Sequence, residues 1–282
     1  MVDARPSRTA LATAYLRAAH QLLDAEPRLL EDPVALPLLG PLAPAHILAA
    51  TNRHRSPEAR GLRAHVVLRS RFAEDRLEEA LQRGVRQYVV LGAGFDTFAY
   101  RQPSWARPLT IVEVDGPATQ QVKRQLLRDA SLTEPANLRF VDIDFERESL
   151  ADGLVRHGVR TDIPTVFAWL GVTMYLTQET VDAVLGCIAT FPRGSEVVLT
   201  FAWPPGDASV SPGGGTLADR SARAGEPWIT FFMPQALEMR LRDLGFTGVE
   251  FLTPTAAQQR YFDSRPDDLP APRLATIVSA IR

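Results

Sequence analysis

Cysteine is nearly absent from this sequence: Cys187 is the only one among 282 residues, so no disulfide can form within the chain. No apolar run reaches the ~18 residues that a membrane-spanning helix needs, and the first twenty residues lack the apolar core of a signal peptide. A basic excess, which nucleic-acid binders normally show, is also missing, because 31 Lys and Arg oppose 33 Asp and Glu. We therefore expect a cytoplasmic protein, monomeric or homodimeric, that binds neither nucleic acid nor membrane, and we assign it no metal site.

The composition that is present, 45% hydrophobic and 23% charged residues, is that of an ordinary globular protein. Its first 85 residues have only helical patterns. Residues 6–24 place apolar side chains at helical spacing, and a longer helix is predicted over residues 58–82, followed by a stop at Gly84. We therefore divide the chain into an N-terminal helical cap or lid, residues 1–85, and a second domain, residues 86–282.

Beyond residue 86, short β-rich runs alternate with helical patterns, which predicts βαβ units and a parallel sheet. The last two runs have no helix between them, so we expect these two to pair antiparallel. The predicted strands are residues 88–91, 109–114, 138–141, 165–169, 196–201, 249–252 and 274–280. The fold class is thus a Rossmann-like α/β domain of about seven mostly parallel strands with an antiparallel edge strand. Residues 204–230, rich in Pro, Gly, Ser and Ala, are predicted to form a long inserted loop that acts as a lid.

The segment Gln87–Arg101, QYVVLGAGFDTFAYR, is where we expect a ligand to bind. Its apolar strand ends at Gly92 and Gly94, in a turn that leaves backbone N–H groups free at the start of a helix. The next two predicted strands end in Glu113-Val114-Asp115 and Asp142-Ile143-Asp144. Carboxylates at this spacing can hold the hydroxyls and the amino group of an adenosine. The pattern therefore predicts a ligand that contains adenosine.

S-Adenosylmethionine fits this pattern better than NAD, whose fingerprint requires a third glycine where this chain has Thr97. With this ligand in view, the sequence resembles the leucine carboxyl methyltransferase family, in particular its bacterial branch of S-adenosylmethionine-dependent class I methyltransferases. The matching segments run in the family's order over about residues 7–200: SRTALATAYLRAA, EDPVALPLLG, RSRFAEDRLEEAL, GVRQYVVLGAGFDTFAYR, VEVDGP, VDIDFERESL and PTVFAWLGVTMYLTQETVDAVL.

The resemblance implies that this chain binds S-adenosyl-L-methionine as its cofactor. Arg69 would pair with the carboxylate of the methionine part, a task suited to a guanidinium fork. Asp115 would hold the ribose hydroxyls, with Glu113 as a weaker candidate. The other residues implied by position are Gly92 and Gly94 beneath the cofactor, Asp142 and Ile143 around the adenine, and Tyr175 near the reacting centre.

Two positions depart from the family's pattern. Leu170 stands where the family has a glutamate, so one polar contact to the cofactor's amino group is missing or replaced. Phe98 stands where the family has an arginine. We expect Phe98 to bind the substrate and to favour a less charged, more aromatic one, the alternative being a packed position that has drifted.

The acceptor decides what catalytic help is needed. A carboxylate nucleophile needs no base, whereas a phenol, whose unperturbed pKa is about 10, needs a base or stabilisation of its anion. The candidate catalytic side chains are Tyr15, His20 and Tyr175, with His65 as a further helper. An aromatic wall over a flat substrate is predicted from Trp228, Phe231 and Phe232. Packing, capping or surface duty is the alternative for each of these side chains.

Three functions remain open at this stage. We favour O-methylation of a carboxyl or phenol group on a small molecule in specialised metabolism. The first alternative keeps the cofactor but methylates carbon or nitrogen of an aromatic heterocycle such as an indole. The second, of another class, is a non-catalytic S-adenosylmethionine-binding protein, for which Leu170 is the only support.

Overall fold

A computed structural model describes residues 6–145, 147–205 and 217–282, and its centre is one seven-stranded sheet. The strands are β1 (Gln87–Leu91), β2 (Thr110–Asp115), β3 (Leu138–Asp142), β4 (Thr165–Trp169), β5 (Glu196–Thr200), β6 (Gly248–Phe251) and β7 (Ile277–Ile281). They lie in the order β3-β2-β1-β4-β5-β7-β6. β7 runs antiparallel to both β5 and the edge strand β6, and the remaining pairs are parallel. The predicted sheet, mostly parallel with an antiparallel element at its edge, is confirmed.

Helices precede the sheet and connect its strands. Within the described residues they are α1 (Arg8–Leu23), α2 (Ala35–Leu38), α3 (Ala43–Ala49), α4 (Thr51–His54), α5 (Pro57–Gln82), α6 (Phe98–Arg101), α7 (Pro117–Asp129), α8 (Leu150–Arg156), α9 (Gln178–Ala189), α10 (Leu217–Arg223), α11 (Pro234–Asp243) and α12 (Pro254–Ala257). Among these helices of the described chain, none has the length and apolar character needed to cross a membrane.

The sheet is buried on both faces, which explains the continuous apolar runs of its central strands. Every residue of β1, β4 and β5 is buried. Helix α5 covers one face, where Leu68 and Phe72 share a core with Val90 of β1 and Ala168 of β4. Helices α9 and α11 contribute to the core on the other face. The long helix predicted over residues 58–82 is thus present, and the division of the chain at residue 85 stays a prediction.

A buried carboxylate fixes the end of α5 to the sheet. Glu196, the first residue of β5, has a fully buried side chain that pairs with Arg76 of α5 and with Arg83, the residue after α5, each at 2.6 Å. It also accepts a hydrogen bond from the Ser279 hydroxyl of β7 at 2.6 Å. Removing one partner from such a buried charge cluster is strongly destabilising, so α5 is held firmly at the amino edge of the strands.

The region predicted as one long loop is not a loop throughout. Residues 206–216 of the predicted segment 204–230 lie outside the described part of the chain. Residues 217–223, LADRSAR, form helix α10, because this short run contains good helix formers and no proline or glycine. The continuous loop expected from the composition is therefore corrected at its C-terminal half.

Candidate functional site

A large cavity of about 1290 Å³ opens at the carboxyl ends of β1, β2 and β4. Its lining comes from α1, α5, the glycine turn after β1, the strand ends and the segment around α10. In open parallel sheets this edge is the usual place for ligands. Because pockets for one small ligand typically measure ~300–1,000 Å³, the cavity has room for more than one small molecule.

The two glycines after β1 bring bare backbone to the cavity. Gly92 has φ +65° and Gly94 has φ +53°, conformations that side chains with a β-carbon rarely adopt. A β-carbon at Gly92 would lie 2.4 Å from Cγ2 of Val172, and one at Gly94 would lie 3.1 Å from Cβ of Ala10 in α1. The turn is therefore packed between α1 and the loop after β4, and only glycine fits at Gly92.

Asp115, the last residue of β2, lines the cavity beside this turn. One carboxylate oxygen accepts a hydrogen bond from the backbone N–H of Gly94, and the other accepts one from Gly116 at 2.7 Å. Burial raises the pKa of Asp115 above its usual value, and the two backbone donors partly offset that effect. Each oxygen keeps acceptor capacity for a ligand hydroxyl.

Arg69 of α5 brings a positive charge into the cavity. Within the described residues its guanidinium makes no hydrogen bond or ion pair. Burial, together with the neighbouring Arg17, lowers the pKa of Arg69 to about 10. Gly171 makes room for this side chain, because a β-carbon there would lie 2.5 Å from its Nη1 atom. A guanidinium with reduced access to water and no partner in the protein can pair with an anionic group of a ligand.

A buried network holds the glycine turn in place. The Thr97 hydroxyl donates to the fully buried carboxylate of Asp32 at 2.6 Å. The Arg17 guanidinium of α1 contacts the same carboxylate at 3.3 Å and donates to the carbonyl of Phe95. Thr97, which stands where the NAD fingerprint requires a third glycine, is therefore hydrogen-bonded to Asp32 in the N-terminal segment.

Five residues predicted for the site do not line the cavity, and two of them are strand-end acids. The side chain of Glu113 is 1% exposed and forms an ion pair with Lys123 of α7, so its carboxylate is not available to a ligand in the cavity. Burial raises the pKa of Glu113. The half-exposed Asp142 instead faces His157, with 3.1 Å between Oδ1 and Nε2. Its neighbour Ile143 does line the cavity.

Packing explains why the other three predicted residues lie outside the cavity lining. His20 is fully buried, its Nδ1 lies 2.7 Å from Asp24, and it points to a different side of α1 from Tyr15. Phe98 is buried in the core under the sheet, 5.2 Å from the Tyr88 ring centroid in an edge-to-face pair. Phe232 packs in the core beneath the guanidinium of Arg240. None of the three is available to a ligand in the cavity.

The remaining aromatic candidates all reach the cavity. Tyr15, Tyr175, Trp228 and Phe231 are part of its lining. The Tyr175 hydroxyl accepts a hydrogen bond from the hydroxyl of Ser221 at 3.2 Å. This contact connects the loop after β4 to helix α10.

The sequence prediction left two contributors out of the site. His65 of α5, named only as a further helper, lines the cavity one helical turn before Arg69. Glu226 was not foreseen: its carboxylate accepts from the backbone N–H groups of Arg8 (2.7 Å) and Thr9 (3.3 Å) at the start of α1. The helical period would have linked His65 to Arg69, whereas no local pattern links Glu226 to α1. In the described part of the chain, no group of three or more His, Cys, Asp or Glu is arranged to hold a metal ion.

Comparison with known proteins identifies the family. Residues 10–189 match the model of the leucine carboxyl methyltransferase family. The Bacillus subtilis protein YktD, named "putative S-adenosyl-L-methionine-dependent methyltransferase", is 34% identical over 221 residues, covering 76% of this chain and 71% of its own length. A protein of Mycobacterium avium with the same description is 30% identical over 196 residues, covering 67% of this chain and 65% of its own length.

A solved structure supports the fold independently. The crystal structure of a "putative methyltransferase" from Thermobifida fusca aligns with a TM-score of 0.55 at 20% identity. The alignment covers 100% of this chain and 96% of that one, so the two proteins share the fold. The family match, the relatives and the cavity at the carboxyl edge agree, and the chain belongs to the leucine carboxyl methyltransferase family of S-adenosylmethionine-dependent methyltransferases.

Proposed function

We propose that this methyltransferase O-methylates a carboxyl or phenol group of a small molecule in specialised metabolism. The observation that carries the proposal is the mixed lining of one cavity. It includes Arg69 and Asp115, here called its polar end, and Trp203, Trp228 and Phe231, here called its aromatic end. A flat apolar acceptor suits the aromatic end, and the polar end suits a charged cofactor.

The residues at the polar end fit S-adenosyl-L-methionine. The unpaired guanidinium of Arg69 would take the carboxylate of its methionine part, and Asp115 would take the ribose hydroxyls. The backbone at Gly92 and Gly94 would lie beneath it, and Ile143 would pack against the adenine. When bound, the cofactor supplies an electrophilic methyl group on a sulfonium.

The chain's own contribution is enclosure and orientation. Helix α1 and the segment around α10 both line the cavity. We propose that residues 1–85 act as its cap and residues 204–230 as its lid, of which residues 1–5 and 206–216 lie outside the described part of the chain. Leu170 adds apolar surface where the family has a glutamate, and Tyr175 and Tyr15 bring hydroxyls to the same space. Excluding water and aligning the acceptor are the main requirements of an in-line displacement at a methyl group.

A panel of acceptors tests this proposal. The purified protein is incubated with methyl-labelled S-adenosylmethionine and matched carboxylic acids, phenols and indoles, and products are identified by mass and by NMR. We expect methyl esters or methyl ethers to form. Label on carbon or nitrogen of the indoles alone would replace the proposal with the heterocycle alternative. Cofactor binding without any transfer would favour the non-catalytic reading.

A further inference from the structure

His65 occupies a position in the cavity that the cofactor contacts leave free. It lies four residues before Arg69 on α5, so the two side chains share one face of the helix, about 6 Å apart along its axis. Both residues line the cavity. If Arg69 holds the cofactor's carboxylate, the side chain one turn away faces the adjoining space, where an acceptor would lie.

The imidazole of His65 lacks a partner within the protein. Across the described residues neither ring nitrogen makes a hydrogen bond or an ion pair. Neither nitrogen is among the buried polar atoms that are sealed from open space without a partner, so both are accessible from the cavity. Tyr15 of α1 has a hydroxyl in the same condition. Both groups can therefore form hydrogen bonds with a ligand in the cavity.

The charge state of His65 restricts the kind of partner. Burial, followed by the field of Arg69, lowers the pKa of His65 to about 3, so the ring is neutral near pH 7. A neutral imidazole offers one N–H donor and one acceptor nitrogen. An aromatic hydroxyl can donate to the acceptor nitrogen without bringing a charge into the cavity. A carboxylate would need a cation to offset its desolvation. Among the arginines of the lining, Arg69 would be taken by the cofactor and Arg17 is paired with Asp32, while Arg8, Arg53 and Arg220 are exposed to water.

We propose that His65 is the residue that selects the methyl acceptor, and that the acceptor is a neutral hydroxyarene whose O–H donates to the imidazole. The inference rests on the proposed function and narrows it from two acceptor groups to one. The aromatic lining from Trp203, Trp228 and Phe231 supplies flat apolar surface for the ring that carries the hydroxyl.

Binding measurements with matched probes test the assignment. With S-adenosylhomocysteine at saturation, isothermal titration compares phenol with benzoate and 2-naphthol with 2-naphthoate in the wild type, His65→Phe, His65→Gln and His46→Phe. His46 is an exposed histidine outside the cavity lining and serves as the matched control. We expect the wild type to bind the hydroxyarene of each pair at least tenfold more tightly.

The variants separate specificity from folding. His65→Phe is expected to lose that preference, His65→Gln to keep part of it through its amide oxygen, and His46→Phe to match the wild type. Affinity for S-adenosylhomocysteine should be unchanged in all four proteins. Equal binding of both probe types, binding of neither, or an undiminished preference in His65→Phe would overturn the inference. Absence of S-adenosylhomocysteine binding by the wild type would instead reject the proposed function on which the inference rests.

Discussion

The carboxylate of Glu226 accepts a hydrogen bond from the backbone N–H of Arg8 at 2.7 Å and joins two segments that lie 218 residues apart in the chain. The same carboxylate accepts from the Ser7 hydroxyl at 3.1 Å and from the backbone N–H of Thr9 at 3.3 Å. Negative charge at a helix start satisfies its free N–H groups and complements the helix dipole. The start of α1 is thereby fixed to the segment that follows α10.

For Glu226→Gln we expect a loss of about 0.5–2 kcal/mol in the free energy of unfolding, the range for losing a helix cap. Because α1 lines the cavity, we also expect S-adenosylhomocysteine to dissociate faster. Urea unfolding and stopped-flow fluorescence measure the two effects. Glu238→Gln, on the exposed face of α11, is the control. An unchanged dissociation rate in Glu226→Gln would show that this contact does not help to keep the cavity closed.

Asp115→Asn tests the ribose assignment with nearly unchanged volume. The amide keeps only one acceptor oxygen and presents an N–H₂ group to the donors from the backbone, so a buried polar group goes unpaired. We expect affinity for S-adenosylhomocysteine to fall by about 1–3 kcal/mol, measured by isothermal titration. Asp142→Asn, at a half-exposed position outside the cavity lining, should change it less than twofold. A smaller loss in Asp115→Asn than in Asp142→Asn would contradict our placement of the adenosine.

Gly171→Ala tests the position of the Arg69 guanidinium. Gly171 has φ +78°, and its added β-carbon would lie 2.5 Å from Nη1 of Arg69. Gly40→Ala is a matched control, because Gly40 has φ +86° but no atom within 4 Å of the added carbon. Both variants should lose about 1 kcal/mol of stability from backbone strain. Only Gly171→Ala should also lose affinity for S-adenosylhomocysteine, and equal affinities would show that Arg69 does not depend on this space.

The pH dependence of unfolding reports on His65. Its folded pKa of about 3 lies below the ordinary value of 6.5, so between these values the unfolded state binds more protons than the folded state. Stability is therefore retained above about pH 6.5 and is lost as the pH falls, by about 1.4 kcal/mol per unit. His65→Gln has no such group, so at about pH 5 the wild type should have lost about 2 kcal/mol relative to it. Parallel stability curves for the two proteins would mean that the imidazole accepts a proton in the folded state.

Local sequence patterns were sufficient to predict the part of the site around the glycine turn. The apolar run of β1, the glycine turn and the acid at the end of β2 are neighbours through short connections and strand register, so Gly92, Gly94 and Asp115 were predictable together. The choice between Asp115 and Glu113 was not. Both side chains lie on the same face of β2, two residues apart, and only the docking of α7 brings Lys123 to Glu113.

The rest of the site could not be predicted in the same way, because it depends on contacts between segments that are distant in the sequence. Phe98 follows the glycine turn directly, yet its ring turns into the core because Tyr88 and Trp105 form a pocket for it there. Helical geometry alone could have favoured His65 over His20 as a site residue, since His20 is five residues from Tyr15 while His65 is one turn from Arg69. No such rule could have found Glu226, whose partners are 217 to 219 residues away.

The pairing of Glu196 with Arg76 and Arg83 has an effect at the opposite edge of the sheet. Arg69 precedes Arg76 by two helical turns, about 10 Å along α5. The ion pair between Arg76 and Glu196 therefore helps to fix the position of the helix from which the Arg69 guanidinium enters the cavity. Because Arg69 and His65 lie on the same helix, we expect loss of the Glu196 ion pairs to affect both residues. We therefore expect relatives that differ at Glu196, Arg76 or Arg83 to differ in cofactor affinity even where every residue of the cavity lining is the same.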